Sequence, residues 1–147
     1  MATFSKLNGF VEHLSEGTHN LGANTLELAL SNTAPASETP DPSVNTADCI
    51  LANVTQIAYT NLSTRVLTVA SSLQTGGVYK LTINDITLTS TGGSTGPFRY
   101  VYIFNQSATS PVDALIGYYD YGSSVTLLTG ESLTVNFDDA NGVLTLT

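Results

Sequence analysis

Phe98-Arg99-Tyr100-Val101-Tyr102-Ile103-Phe104 is the stretch that decides the fold. Successive side chains of a strand point to opposite sides, so Phe98, Tyr100, Tyr102 and Phe104 are expected on one face and Arg99, Val101 and Ile103 on the other. Both faces are largely apolar. A strand of that kind is buried centrally in a sheet or sits at a subunit contact. Residues 115–121 repeat the theme with Tyr118, Tyr119 and Tyr121.

The same every-second-residue pattern runs through residues 65–147, with Thr, Ser and Asn between the apolar positions. Residues 65–72 are expected to pair with 78–84 across Gly76-Gly77, a dipeptide that tolerates positive φ at both positions. Tyr79, Leu81 and Ile83 are odd-numbered, whereas Ile86 and Leu88 are even. That slip predicts a bulge or a bend at Asn84-Asp85, where the chain passes to another sheet. Residues 91–96 form a glycine-rich loop, and Tyr121-Gly122-Ser123-Ser124 reads as a tight turn between strands. Residues 132–138 and 143–147, joined through Asn141-Gly142, read as a closing hairpin. The expectation is one antiparallel all-β domain, a jelly-roll-like sandwich of about eight strands.

The remainder of the 147 residues is attached to that shell. Phe4, Leu7, Phe10, Val11 and Leu14 fall at spacings of three and four, which predicts one short N-terminal helix within residues 1–20. Thr3 is the expected N-cap, and Gly17 suits the left-handed residue after the last turn. The β-sandwich is read over 25–147, starting with a strand at 25–31 in which Leu26, Leu28 and Leu30 share one face and Thr25, Glu27 and Ala29 the other. Pro35, Pro40 and Pro42 mark 33–45 as a surface loop, and 47–56 reads as irregular with one short strand.

Twelve acids against four bases give a net charge of −8. Lys6, Arg65, Lys80 and Arg99 are scattered, so no basic stripe exists to neutralise phosphates or meet an anionic membrane, and neither partner is expected. Cys49 is alone and is read as a buried, inert thiol. The first seventeen residues carry Lys6, Glu12, His13 and Glu16 and have no export-type apolar core, so synthesis in the cytoplasm is expected.

Chemistry-bearing patterns are weak. His13 and His19 are the only possible imidazole bases, and the Gly-x-Ser-x-Gly match at Gly92-Gly93-Ser94-Thr95-Gly96 runs into Pro97 and a strand instead of the helix a nucleophile elbow needs, so no enzyme is expected. Asp138, Asp139 and Asn141-Gly142 resemble the start of a calcium loop, but a strand resumes where its last ligand belongs. Two histidines and a distant cysteine do not make a zinc site. Gly92 to Gly96 is followed by Pro97 and a strand rather than by Lys and a helix, so it is not a phosphate cradle. No cofactor or metal is expected. Asn53, Asn61 and Asn105 head glycan-acceptor triplets of the kind chance supplies in such a composition. Tyr100, Tyr102, Tyr118, Tyr119 and Tyr121 are the most suggestive set, suited to core packing, a protein interface or stacking on sugar rings.

Four stretches together resemble a family of small tailed-bacteriophage virion proteins. They are Phe4-Ser5-Lys6-Leu7-Asn8-Gly9-Phe10 with His19-Asn20-Leu21-Gly22; Leu26-Glu27-Leu28-Ala29-Leu30-Ser31-Asn32-Thr33-Ala34-Pro35; Gly96-Pro97-Phe98-Arg99-Tyr100; and Ile116-Gly117-Tyr118-Tyr119-Asp120-Tyr121-Gly122. The resemblance spans nearly the whole chain. The loop from Pro35 to Val44 departs from the family pattern in being richer in proline. The resemblance implies a jelly-roll cement or decoration protein on the capsid surface of a virion, with the major capsid protein as partner, and a homo-oligomer. Its contacts are expected from the N-terminal helix and an aromatic strand edge: Phe4, Leu7, Phe10, Leu14, Arg99, Tyr102, Tyr118 and Tyr119. The competing expectation is a carbohydrate-binding adhesin or accessory protein of a phage tail or fibre. Where the tyrosines point separates the two.

Overall fold

The computed structural model describes residues 2–35 and 49–147, so most of the proline-rich loop read at 33–45 lies outside the described residues, as do Ala47 and Asp48. In chain order the elements are β1 (Phe4–Lys6), α1 (Asn8–Ser15), β2 (Leu26–Ser31), a 3-10 turn (Leu51–Asn53), β3 (Val69–Thr75), β4 (Val78–Ile83), β5 (Ile86–Thr89), β6 (Thr95–Thr109), β7 (Val112–Leu127), β8 (Ser132–Val135) and β9 (Leu144–Leu146). All pairings are antiparallel. The expected all-β sandwich with one short helix is what forms, with nine strands rather than eight among the described residues.

The layers follow from a nested pairing. β6 pairs with β7, β5 with β8 and β4 with β9, so a long two-stranded ribbon is rolled onto itself, the logic of a jelly roll. The wide end of the ribbon forms a four-stranded sheet ordered β1-β7-β6-β2, and the other pieces form the sheets β3-β4-β9 and β5-β8. Leu26, Leu28 and Leu30, Val101 and Ile103, and Ile116 face Leu81, Ile83, Leu88 and Leu144 across the main core. Ala29, Tyr100, Tyr102, Phe104 and Leu115 project from the opposite face into a second cluster with Leu7, Cys49 and Val54. The large sheet is thus covered on both sides, and every residue of β2 is buried.

Several sequence readings are corrected by long-range pairing. The helix does not start at a Thr3 cap: the chain is extended over Phe4–Lys6, where its backbone bonds to β7, and α1 begins only after Leu7, without a side-chain cap. Gly17 has φ 84°, as the left-handed stop requires. Residues 65–67 run beside β2 instead of opening β3, with Leu28 N donating to Arg65 O and Leu67 N to Leu26 O. The 47–56 segment has, among its described residues, a 3-10 turn and isolated bridges at Ile50 and Gln56 in place of a strand.

Phe98 does not share a face with Tyr100. The register jumps from Phe98↔Val125 to Tyr100↔Asp120, so residues 121–124 oppose Arg99 alone. The bulge turns Phe98 into the main core beside Val101 and Ile103. Tyr121-Gly122-Ser123-Ser124 is that bulge, inside β7, and not a turn between strands.

The closing hairpin is also absent. β8 and β9 are successive pieces of one ribbon arm, just as β4 and β5 are pieces of the other, and they do not pair with each other. Asn84-Asp85 is the expected corner. Its Asp85 carboxylate accepts from Phe137 N at 2.8 Å and Asn136 Nδ2 at 3.1 Å, tying both arms at the same bend. Asn141-Gly142 closes a local turn on Asp138. Gly76 and Gly77, with φ 60° and 85°, do make the tight β3–β4 hairpin that their sequence specifies.

Candidate functional site

Two regions gather the candidate residues, and the large sheet positions both. On its outer face the period-2 alternation of β6 and β7 sets Tyr118 between two tyrosines, 5.8 Å from Tyr102 and 6.4 Å from Tyr100 between ring centroids. Tyr102 is fully buried, Tyr100 is buried and Tyr118 is half-buried. Tyr119 points the other way, packs 5.4 Å from Phe4 and 5.9 Å from Phe137, and has its phenol pushed up to about 12 by burial.

Arg99 and Asp120 form a two-pronged pair across the bulge at 2.7 and 2.8 Å, with side chains 39% exposed. The hydrogen bond from Arg99 lowers the Asp120 pKa, and a further one from Gly122 N works in the same direction. The guanidinium carbon of Arg99 lies 5.2 Å from the Tyr100 ring.

The N-terminal candidates are divided between the two cores. Phe10 is completely buried in the main one and Leu14 is half-buried against it, while Leu7 belongs to the second cluster. Phe4 is half-buried and covers Gly117, where a Cβ would strike the Phe4 ring and the Ser5 carbonyl. The exposed apolar side chains nearby are Val11 on α1 and Tyr121 on β7, the latter 50% exposed at the rim of an apolar slot of about 210 Å³ floored by Val101, Tyr119, Leu133 and Val135.

The two histidines meet, with rings 6.2 Å apart, where α1 joins the sandwich. Each is buried, and His19 also lines an open groove with Leu14, Ser72, Tyr79 and Leu146. Burial first, and then His13, lowers the His19 pKa to about 4. His19 Nδ1 is engaged by the Asn105 amide, so that nitrogen is not directed at a hydroxyl nucleophile. Among the described residues no three metal-ligating side chains cluster, and no helix is long and apolar enough to cross a membrane. Asn105, which heads a glycan-acceptor triplet, is fully buried with its amide bonded, which excludes it as an acceptor in the folded chain.

Sequence reading missed the Arg65 site altogether. Arg65 pairs with Glu27 at 2.8 Å, donates to the Leu28 carbonyl and lies 3.7 Å over the Tyr59 ring. The Tyr59 hydroxyl in turn accepts from Leu30 N at 2.8 Å. The alternation around Glu27 placed it opposite the leucines, but nothing local linked it to a residue so far along the chain.

No protein-family model, curated protein or solved structure matches this chain.

Proposed function

We propose that this chain is a structural protein of a tailed-bacteriophage virion, a cement or decoration protein that binds the outside of the capsid and bridges major capsid subunits. The observation that carries this reading is the use made of the motifs resembling that family. Each is spent on a joint of the fold: Phe4 on Gly117 and His19 on Asn105, Glu27 on Arg65, Phe98 in the core at the β6 bulge, and Asp120 on Arg99. Motifs of that kind specify a rigid shell rather than a reacting cleft. A shell without disulfides suits assembly in the cytoplasm, and repeated weak contacts across a lattice add up through avidity. The acidic balance, twelve acids to four bases, suits a position away from packaged DNA.

Leu7, Phe10, Tyr102 and Tyr119 are committed to the interior, so the contact surface on this reading consists of the parts of Phe4, Leu14, Arg99 and Tyr118 that keep exposure, extended by Val11 and Tyr121. The test is co-sedimentation of the purified protein with capsids of its own phage that lack it. Saturable binding, lost in Val11→Asp and Tyr121→Ala variants that fold normally, is expected. A protein that stays in the supernatant with capsids but pellets with tails refutes the reading.

A second reading rests on Tyr121 beside its apolar slot, a ring with an open face next to a hydrophobic floor, which suits a sugar. Glycan-array binding abolished by Tyr121→Ala, without capsid binding, favours that tail or fibre role.

A further inference from the structure

The junction between α1 and the sandwich contains a side-chain network whose donors and acceptors are fixed. Ser107 N donates to Asn105 Oδ1 at 3.0 Å, which leaves Asn105 Nδ2 as the donating end. Nδ2 donates to Asn24 Oδ1 at 2.8 Å, and that oxygen is held as an acceptor by Asn20 N at 2.7 Å. Nδ2 also reaches the Thr18 carbonyl at 3.4 Å and His19 Nδ1 at 3.1 Å. His19 Nδ1 is therefore an acceptor, and the neutral ring carries its proton on Nε2. Asn105 is 0% exposed, so it has no alternative pose in water.

A second proton on His19 has only Nδ1 to occupy. There it meets an N–H donor, and the hydrogen bond becomes a donor–donor conflict in a buried site. The remaining surroundings offer the charge no help. His19 Nε2 and His13 Nδ1 are both buried without hydrogen-bond partners among the described residues. The Phe10 ring lies 5.1 Å from His19. From α1 the pair is faced by His13 itself, and Glu12 of that helix and Glu16 just after it are solvent-exposed. β4 contributes the Tyr79 phenol, hydrogen-bonded to Ser72 of β3; β6 contributes Asn105 and β9 contributes Leu146, neither of which titrates. Among the described residues the one charge acting on His19 is that of His13, and it repels.

We propose that the His19–Asn105 contact, backed by His13, is an acid-sensitive latch that holds α1 and residues 17–24 on the sandwich at neutral pH and releases them on acidification. The sign follows from linkage. His19 is held near 4 when docked and returns to about 6.5 when released, so the released state binds the extra proton. The latch is complete above pH about 6.5 and weakens about tenfold per unit as the pH falls toward 4. Release bares Phe10, Leu14 and Leu21, an apolar set otherwise covered.

Amide hydrogen exchange on the full chain at pH 7 and pH 4.5, corrected for intrinsic rates, tests the latch. The opening constant of residues 10–24 is expected to rise about sixtyfold, and that of central β6 and β7 less than about threefold. In His19→Gln, which keeps an amide but does not titrate, the rise is expected to vanish. A rise of less than about threefold in residues 10–24, or an equal rise in His19→Gln, overturns the proposal. Should the variant not fold, an NMR titration of the unmodified chain decides: a His19 midpoint well below 6 upholds the latch, and one near 6.5 sinks it.

Discussion

Replacing Arg65 with Ala probes the most consequential polar contact in the molecule. The guanidinium and the Glu27 carboxylate are 2.8 Å apart with side chains only 18% and 11% exposed. Removing one partner of such a pair strands the other charge in a poorly solvated place, at about 3–5 kcal/mol. Loss of the stack on Tyr59, at 3.7 Å, contributes about 0.5–2 kcal/mol more. Against a total stability of about 7–20 kcal/mol for 147 residues, that is a large fraction. A fall in melting temperature of about 10 °C or more is expected. The change also removes the side-chain hold of residue 65 on β2, where the Leu28 carbonyl and the Glu27 carboxylate grip the same guanidinium, and leaves only the backbone bonds there. Urea denaturation of Arg65→Ala, Glu27→Gln and the double variant Arg65→Met/Glu27→Gln gives the decisive comparison. The double variant, which removes both charges and keeps the apolar stem, is expected to recover most of the loss. A cost below about 1 kcal/mol for Arg65→Ala, or no recovery in the double variant, refutes the reasoning.

The Arg99–Asp120 pair has the same chemistry in the open, and Arg99→Ala is expected to leave the urea midpoint within experimental scatter, because water already screens both groups. Gly117→Ala forces a methyl onto the Phe4 ring and to 2.6 Å from the Ser5 carbonyl oxygen, which belongs to paired backbone and cannot yield. A loss of about 1–3 kcal/mol is expected, with faster amide exchange confined at first to Phe4–Lys6. Cys49 is 2% exposed and its thiol is pushed up to about 11, chiefly by burial. A disulfide reagent at pH 8 is expected to leave it untouched in the native chain and to label it only at urea concentrations that unfold the protein.

Features set by neighbours in the chain were legible. The Gly76-Gly77 hairpin follows from two residues free of a Cβ penalty, and the corner at Asn84-Asp85 from a change of parity within one segment. The inward leucines of β2 and the Tyr100, Tyr102, Phe104 face of β6 follow from a period of two. The reading of Phe98 failed one residue beyond that, because its face is set by four residues of β7 crowding opposite Arg99. The strongest turn signal in the chain, Asn141-Gly142, was also the most misleading. A turn dipeptide states that the chain bends there, whereas β4 and β5 decide what the next segment pairs with.

The candidate residues divide along the same line. That His13 and His19 are the two imidazoles of the chain was legible by counting, and so was the single cysteine, Cys49. That Asn105 aims a donor at His19, and that Arg65 answers Glu27, depends on contacts spanning 86 and roughly 40 residues. Alternation, composition and turn chemistry act between adjacent residues, and by themselves they determined an antiparallel β shell with a short helix. Which strands neighbour one another, which aromatic rings are left at the surface and which polar groups meet in the interior are decided by closing long loops around one dense core. That closure is a property of the whole packed chain.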